Sequence, residues 1–600
     1  MFAQFRRPGP RCGSLAVLVA LLVFATDARH ARAQFATAVA TTGQIAPGSA
    51  GNSFSEFSAP VINGNGQVAF MGTMTGLTGA GNPNQGLFCS EILAQTPMQT
   101  LPPQLTGTVG QNTVVAVGPT VPQASGGSNP SFFTALSGGP APIINATTTQ
   151  NNLGFFSTFD PAICLSTPLI SGNASPFTTS GQVAFRAAMN SSSIFGVFGT
   201  EKLQNGATPT LPSQPWIMHQ GAATTALVDP NTSQTLQWSA VADPAQNNNG
   251  VVAFQANLNN NQSGIFTATS TQQLQTPPTP PTAMTITAVA LSNNNAPQSP
   301  TTGGAFASSG IYQSFDPRVA ISDLGAVAFL ANVSGGGGQL LVFVSPTGTA
   351  SGIALTTSNS TNPPTDGSDA PQAPNGPVQT PPAKFTSFSV NPAFSPVSLS
   401  DYLGGQVVFK ANLSTGPGPG DSGIYAWSGG TLNAVAVTRQ DLSTGILGGP
   451  LGLSATPALS YSVLYPDGHY HTGPATGQPV HFLEFTSDIA QNNGDRNGVT
   501  ANGGQIAFAA SLAPGGSGGV FLFRPQNGFT PLSIHPVAMS GNPAPGAGAG
   551  VNYASFGSSI GLNNHPGRNA APEVAFIANL FGTGVNTNTN QALFLANDQV

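Results

Sequence analysis

The stretch Gly66-Gln67-Val68-Ala69-Phe70 decides the fold, because close copies of it recur along the whole chain. Six of the seven copies place a glycine before a short run of apolar, β-prone residues that ends in phenylalanine. A strand signal repeated in this way indicates a repeat protein. The other six copies, the last of which has proline in place of glycine, are Gly181–Phe185, Gly250–Phe254, Gly325–Phe329, Gly405–Phe409, Gly504–Phe508 and Pro572–Phe576.

Each copy is the second of four strand signals in a longer unit. In the first unit, Phe54–Asn63 precedes the motif, and Gly86–Phe88 and Thr113–Val117 follow it. Turn residues separate the four signals, so each unit predicts a four-stranded antiparallel meander. The other units keep the same order of signals.

The two ends of the chain carry parts of one split unit. Phe35–Ala40 resembles a fourth strand, and its trailing turn, Gly43–Gly48, matches Gly541–Gly546 of the sixth unit. The last unit stops after its third strand, Ala592–Leu595. A closed ring explains this division, because the split unit joins the termini and removes an open sheet edge. We therefore predict an all-β fold, a seven-bladed β-propeller of four-stranded antiparallel blades, closed by pairing of the N-terminal strand with the last blade. The alternative is a tandem array of small β-sandwiches.

We expect residues 34–600 to form a single domain. The intervals between motif phenylalanines are longest from Phe70 to Phe185 and from Phe409 to Phe508. These intervals predict surface insertions near 92–111, 151–176 and 440–479.

Composition supports the β assignment and excludes one class of partner. The chain has 600 residues with 73 Gly and 53 Pro, and 40% of its residues are hydrophobic while only 6% are charged. Many short apolar runs between turn residues are typical of all-β proteins. A net charge of −6 on so long a chain gives no basic patch, so nucleic acid is not expected as a partner.

The first 33 residues have the pattern of a signal peptide. Arg6, Arg7 and Arg11 precede an apolar run, Leu15–Ala25, and Ala31–Ala33 is a small-x-small cleavage site. The pattern predicts an exported protein, secreted, at the cell surface or periplasmic, whose mature chain begins near Gln34. A membrane anchor is the alternative, although the run is short for a spanning helix. No apolar tail follows Ala596, so we expect no transmembrane segment in the mature chain. We also expect a monomer.

Two cysteines remain after cleavage, Cys89 and Cys164. An exported pair can form a disulfide. Both lie beside apolar runs, so two buried free thiols are the other interpretation, and their spacing carries no metal signature.

The pattern Asn63-x-x-Gly66-x-x-Ala69-Phe70 resembles the tandem NxxGxxAF repeats of a family of exported bacterial proteins, the choice-of-anchor tandem repeat family. Asn247–Phe254 matches the pattern fully, and Ser322–Phe329 matches with serine for asparagine. The resemblance implies export and surface sorting, and it supplies no catalytic residues.

The residues of the motif also have a structural interpretation. Asn and Gly suit the positive φ of a tight turn. We expect the alanine to lie where neighbouring blades approach and the phenylalanine to fill the space between them.

A recurring acidic dipeptide suggests a ligand site. The first strand of a propeller blade lines the central channel, where a ring of carboxylates could hold a cation or sugar hydroxyls. Asp before Pro is also an ordinary turn starter, and these residues do not keep one sequence distance from the Val-Ala-Phe motif. The candidate ligand-binding residues are Asp160, Asp243, Asp316, Asn391 and Asp488.

The insertion at 440–479 carries a second candidate site. Tyr465 and Tyr470 are suited to stacking on carbohydrate, and His469 and His471 would lie on one side of a strand, as a metal site requires. A plain decorated hairpin is the other interpretation.

No catalytic residues are predicted. The sequence has no Gly-x-Ser-x-Gly elbow in a strand–turn–helix context and no phosphate-binding loop with its lysine. Its 20 carboxylates are scattered. We therefore favour a non-enzymatic exported protein that presents a binding surface to an extracellular or cell-surface partner, with carbohydrate as a candidate. The alternative is a propeller hydrolase or lyase acting on extracellular polysaccharide. A divalent cation is the one cofactor suggested.

Overall fold

The computed structural model describes most of the repeated strands and omits many connections. Among the residues described, no helix is long and apolar enough to cross a membrane. The described residues are 35–46, 52–62, 68–75, 85–90, 114–117, 120–122, 128–130, 132–136, 139–144, 156–165, 179–180, 183–189, 194–199, 203–204, 216–219, 223–228, 235–247, 251–270, 284–298, 310–334, 338–357, 367–371, 382–388, 397–400, 405–414, 421–439, 462–464, 470–472, 481–491, 504–513, 518–524, 534–562 and 573–597.

The strands of the first half of the chain begin with β1 and build three antiparallel sheets. The strand β1 is Phe35–Thr41. Sheet 1 contains β2 (Phe54–Ile62), β3 (Val68–Met74), β4 (Gln85–Ser90) and β5 (Val114–Val117). Two hairpins follow, β6 (Thr120–Pro122) with β7 (Ser128–Pro130) and β8 (Phe132–Leu136) with β9 (Gly139–Ile144). Sheet 2 contains β10 (Phe156–Leu165), β12 (Val183–Met189), β13 (Ile194–Gly199) and β15 (Trp216–His219), while β11 (Thr179–Ser180) pairs with β14 (Leu203–Gln204). Sheet 3 contains β16 (Ala223–Val228), β17 (Thr235–Val241), β18 (Ala245–Gln246), β19 (Val252–Leu258), β20 (Ser263–Ser270) and β21 (Met284–Leu291).

The second half continues the same plan. Sheet 4 contains β22 (Tyr312–Ile321), β23 (Val327–Val333), β24 (Gln339–Val344) and β25 (Ala350–Leu355). Sheet 5 contains β26 (Phe385–Ser387), β27 (Val397–Ser400), β28 (Gln406–Leu413), β29 (Ser422–Ser428) and β30 (Thr431–Val437). A hairpin of β31 (Ser462–Leu464) and β32 (Tyr470–Thr472) follows. Sheet 6 contains β33 (His481–Phe485), β34 (Ala490–Gln491), β35 (Ile506–Ala513), β36 (Gly518–Phe523) and β37 (Ile534–Met539). Sheet 7 contains β38 (Val551–Leu562), β39 (Glu573–Gly582) and β40 (Gln591–Asn597).

The strand β1 completes sheet 7 as its fourth strand. It pairs antiparallel with β40, from Phe35 opposite Asn597 to Thr41 opposite Ala592. The predicted pairing of the two chain ends is therefore present. Side-chain bonds reinforce it, because the Thr42 hydroxyl accepts from the Gln591 backbone N–H at 3.1 Å. Gln591 Oε1 in turn accepts from the Phe57 backbone N–H in sheet 1 at 2.8 Å.

The predicted insertions differ in outcome. The range 92–111 lies outside the described residues. The range 151–176 contains β10, which is the first strand of sheet 2 and no insertion; the additional described chain in this interval forms the hairpins β6–β7 and β8–β9. The range 440–479 contains the hairpin β31–β32. Cys89 lies in β4 and Cys164 in β10, and both interpretations of the pair, a disulfide or two free thiols, stay untested.

The first strands of the seven sheets contact one another in cyclic order. The strand β2 contacts β10, which contacts β18, and the succession continues through β22, β27, β34 and β38. The strand β38 then contacts β2 again. Each first strand therefore has a first strand of another sheet on both sides.

The Val-Ala-Phe motif packs neighbouring sheets together. Ala253 of sheet 3 is fully buried in a cluster with Phe329 of sheet 4. The adjacent Phe254 points to the other side of the same strand and is buried with Ala184 and Val197 of sheet 2. The same division holds between sheets 7 and 1, where Ala575 packs in one cluster with Phe54. The motif alanine thus packs against the next sheet, and the phenylalanine side chain packs against the preceding sheet, as predicted.

The motif asparagine acts through its side chain. Asn247 Oδ1 accepts from the Val251 backbone N–H at 2.9 Å and closes the hairpin turn. Its Nδ2 donates to the carbonyl oxygen of Ser322 in sheet 4 at 2.9 Å. Positive φ, which the sequence led us to expect for both residue types, is found at the glycines, for example 91° at Gly325, and not at Asn247. Asn247 is therefore a turn cap and an inter-sheet link.

Replacing Asn247 by alanine should destabilise the protein by about 1–3 kcal/mol, because the part-buried Val251 N–H and the buried Ser322 carbonyl oxygen each lose a hydrogen-bond partner. Urea unfolding monitored by circular dichroism measures the effect. Asn294, which is exposed, provides the matched Asn→Ala control, with an expected change within about 0.5 kcal/mol. Equal stability of the two variants would contradict the assigned role.

A second repeated set of hydrogen bonds joins the fourth strand to the next sheet in five of the described sheets. A serine or threonine hydroxyl accepts from the backbone N–H that begins the third strand of its own sheet. The residue after this serine or threonine donates its backbone N–H to the carbonyl oxygen of the first aromatic residue of the next sheet. In the case of Gly43, the N–H donates to the Phe54 carbonyl oxygen at 2.8 Å. That following residue has positive φ at Gly43, Asn293, Arg439 and Gly541. The described pairs are Thr42–Gly43, Ser292–Asn293, Thr356–Thr357, Thr438–Arg439 and Ser540–Gly541.

Candidate ligand-binding site

Every first strand is interrupted near the same place. The interruption is a shift of register within the strand or a break into two strands. In sheets 2 to 7 it lies opposite the residue that follows the motif phenylalanine, and in sheet 1 it lies opposite Phe70 itself. In sheet 4, for example, Phe315 faces Ala331 and Val319 faces Phe329, so three residues bulge out opposite Leu330. We call the seven interruptions together the bulge belt. They lie between Ser58 and Val61, Phe159 and Ile163, Val241 and Ala245, Phe315 and Val319, Ser387 and Val397, Phe485 and Ala490, and Phe556 and Ile560.

The predicted ligand-binding acids all fall in the bulge belt. Asp160, Asp243, Asp316 and Asp488 lie inside the interruptions of sheets 2, 3, 4 and 6. Asn391 lies outside the described residues, in the interval that separates the two first-strand segments of sheet 5. The common register is hidden in the sequence because the chain between the bulge and the Val-Ala-Phe motif varies in length.

A cation from the preceding sheet reaches the bulge of sheet 3. Arg186 follows the motif phenylalanine of sheet 2, and its Nη1 lies 3.7 Å from Asp243 Oδ1. The guanidinium also lies over the Phe195 ring, 4.5 Å from the ring centroid. Both charged side chains are part-exposed, so the pair contributes little to stability.

The equivalent residue of sheet 5 is a buried lysine. Lys410 is 2% exposed, and its Nζ donates to the carbonyl oxygens of Ser487 at 2.7 Å and Phe485 at 3.2 Å in the bulge of sheet 6. Burial lowers the pKa of Lys410 to about 8, against the attraction of Asp488 and Glu484. Arg186 and Lys410 thus each link their own sheet to the bulge of the next sheet, with different partners.

The bulge of sheet 6 also binds the bulge of sheet 7. The Asp488 backbone N–H donates to the Ser558 carbonyl oxygen at 2.7 Å. The Ser559 hydroxyl donates to Asp488 Oδ2 at 3.4 Å. Neighbouring bulges are therefore in direct hydrogen-bond contact here.

The bulge of sheet 4 places an acid and a base side by side. The Arg318 backbone N–H donates to Asp316 Oδ1 at 3.0 Å, and both side chains are half-buried. Burial raises the pKa of the Asp316 carboxyl, while the Arg318 N–H and charge act in the opposite direction. Pro317 between them is exposed. The arrangement offers hydrogen-bond donors and acceptors to a polar ligand.

The inter-sheet cations were missed in the sequence, although they leave a signal. Arg186 and Lys410 each follow the motif phenylalanine directly, inside an apolar strand where a charge is uncommon. Gln255 holds the equivalent position in sheet 3. The charged residues at this place both contact the next sheet, whereas Gln255 bonds Asn257 of its own strand.

The candidate residues of the 440–479 insertion are only partly described. Tyr470 and His471 lie in β32, where His471 is opposite Val463, and Tyr465 and His469 lie outside the described residues. Within the described part of the chain, no three His, Cys, Asp or Glu residues form a metal-binding group. The stacking and metal hypotheses for this hairpin stay predictions.

Replacing residues 440–479 by a short Gly-Ser turn should leave a soluble, folded β protein. The Arg439 backbone N–H donates to the Phe482 carbonyl oxygen at 2.8 Å, so the two ends of the segment are already close. Surface segments of this kind tolerate deletion. Circular dichroism and thermal melting of the shortened protein should resemble those of the parent. Aggregation would instead mean that the segment belongs to the core.

Comparisons with known proteins add little about activity. A model for a family of unknown function, DUF7453, matches residues 29–96, which include β1 and the first three strands of sheet 1. No curated protein matches the chain. Among solved structures, a crystal structure of the polysaccharide lyase Uly1 is similar over 92% of this chain and 90% of that chain, with 9% identity and a TM-score of 0.31. At that TM-score, the likeness supports no argument about this protein.

Proposed function

We propose that this chain is an exported seven-bladed β-propeller that binds an extracellular or cell-surface saccharide at the bulge belt. The observation that carries the proposal is the cyclic contact of the seven first strands. In a propeller, first strands surround the central channel, so a cyclic succession of first strands brings their bulges around one axis. The pairing of β1 with β40 favours the ring over a tandem array of sandwiches, in which the two chain ends have no reason to meet.

The chemistry of the belt suits a hydroxyl-rich ligand. Carboxylates at Asp243, Asp316 and Asp488 are part-exposed, and Ser558 adds an exposed hydroxyl. Ligand sites typically combine a rigid concave frame with a few placed polar groups. The frame here consists of strands clamped by inter-sheet bonds such as those of Lys410 and Asn247. The binding function requires no catalytic group in this set.

A glycan array with the mature protein, residues 34–600, tests the proposal, with a parallel assay for shortening of the bound polymers. We expect saccharide binding without cleavage. Cleavage would favour the polysaccharide hydrolase or lyase alternative, and absence of binding to every saccharide would overturn the proposal.

N-terminal sequencing of the exported protein tests the predicted signal peptide, and the sequence read should begin near Gln34. Intact Met1 in a membrane fraction would contradict the prediction.

A further inference from the structure

The carboxylates of the bulge belt are not equivalent. Asp243 faces the Arg186 guanidinium at 3.7 Å. Asp488 accepts from the Ser559 hydroxyl and lies near the buried Lys410 ammonium. Both of these carboxylates are thus held by groups from neighbouring sheets, and their charges are opposed by cations placed across a sheet boundary.

Among the described residues, Asp316 has no such cation from the preceding sheet. The position that carries Arg186 in sheet 2 and Lys410 in sheet 5 is Gln255 in sheet 3, and Gln255 Nε2 donates to Asn257 Oδ1 at 2.8 Å. Among the described residues, the hydrogen bond to the Asp316 carboxylate comes from the Arg318 backbone N–H alone. Arg318 Nη1 is a buried nitrogen without a hydrogen-bond partner in the same part of the chain. A buried guanidinium N–H is stabilised by a polar partner, and a ligand hydroxyl can supply one.

We propose that Asp316 and Arg318 are the residues of the bulge belt that contact ligand, and that they bind neighbouring hydroxyls of an uncharged saccharide. The inference rests on the proposed function and deepens it. A sugar hydroxyl donates and accepts at once, so it bonds the carboxylate as a donor and the guanidinium as an acceptor. The opposite charges of the pair cancel, which favours a neutral sugar. An anionic saccharide would bring its charge against the Asp316 carboxylate.

Binding assays with defined polysaccharides test the assignment. The probes are xylan, mannan and laminarin as neutral polymers and alginate as the anionic polymer. We expect the wild-type protein to bind at least one neutral probe and not alginate. Asp316→Asn and Arg318→Gln should each weaken that binding roughly tenfold or more, because each removes a charged hydrogen-bond partner. Asp369→Asn, a carboxylate change in the surface ion pair with Lys384, is the matched control and should bind like the wild type.

The outcomes separate this inference from the proposed function. Melting temperatures of all variants establish that each is folded. Wild-type-like binding by both folded variants would overturn the assignment of Asp316 and Arg318 and leave the saccharide-binding function standing. Binding of alginate alone would overturn the neutral ligand class. Binding of no saccharide by the wild-type protein would overturn the inference and the proposed function together.

Discussion

Deletion of residues 34–46 is expected to destabilise the whole protein by at least about 5 kcal/mol, through lost strand pairing and lost apolar burial. The deletion removes β1, and with it the hydrogen bonds along β40 from Ala592 to Asn597. It also removes Val39, Ala40 and Ala46 from the buried cluster that contains Phe54 and Leu593. Sheets 7 and 1 would both lose packing, because this cluster joins them.

The effect should extend beyond the N-terminus. Closing a loop between chain ends this far apart costs entropy, but that cost grows only slowly with chain length. Packing of successive sheets offsets it when the ring is complete. In the proposed ring, the deletion exposes the β40 edge and frees sheets 7 and 1 to separate, so we expect the melting transition of all seven sheets to move to lower temperature.

Thermal melting and urea unfolding of the truncated protein measure this effect. Ile45→Ala is the control within the same segment, since Ile45 is 63% exposed and its loss should change stability little. A synthetic peptide of residues 34–46 should restore part of the lost stability when added in trans. A truncated protein that melts like the full-length one would refute the closed ring.

The strand order could be predicted from sequence because the repeat units carry the same succession of strand and turn signals. The Val-Ala-Phe motif identifies each second strand, and the match between Gly43–Gly48 and Gly541–Gly546 reveals the split unit. Sheet 2 was harder to delimit. Its first strand, Phe156–Leu165, falls in a long interval where extra hairpins stand between sheets, and length alone could not separate strand from insertion.

The candidate site could be predicted only in part. The acids at Asp243 and Asp316 were recognised as residue types, but their shared bulge depends on strand pairing, which sequence distance does not reveal. The sequence predicts a backbone role, a positive φ, for the motif asparagine, whereas at Asn247 the side chain forms the contacts. Links such as Lys410 to Ser487 join residues of different units, and no local pattern specifies such a pair.

The second prediction concerns the pH dependence of stability that Lys410 causes. A buried ammonium is costly even with two carbonyl partners. Burial lowers its pKa to about 8 from an ordinary value of 10.5, while Asp488 and Glu484 act in the opposite direction. Below pH 8 the lysine is charged in both the folded and the unfolded chain, and the folded state carries the full cost of the buried charge. Between pH 8 and 10.5 the unfolded chain binds more protons than the folded one, so raising the pH stabilises the fold.

The free energy of unfolding of the wild-type protein should therefore rise by about 3 kcal/mol, relative to a Lys410→Met variant, as the pH increases from 7 to 10.5. The methionine cannot titrate, so the difference between the two proteins isolates the lysine from every other group. Lys410→Arg is the matched control, because an arginine stays charged over this range and should show no such rise. Urea unfolding at four pH values between 7 and 10.5 measures all three proteins. If the wild-type and Lys410→Met curves run parallel, the ammonium is solvated in solution and the buried link between sheets 5 and 6 is wrong.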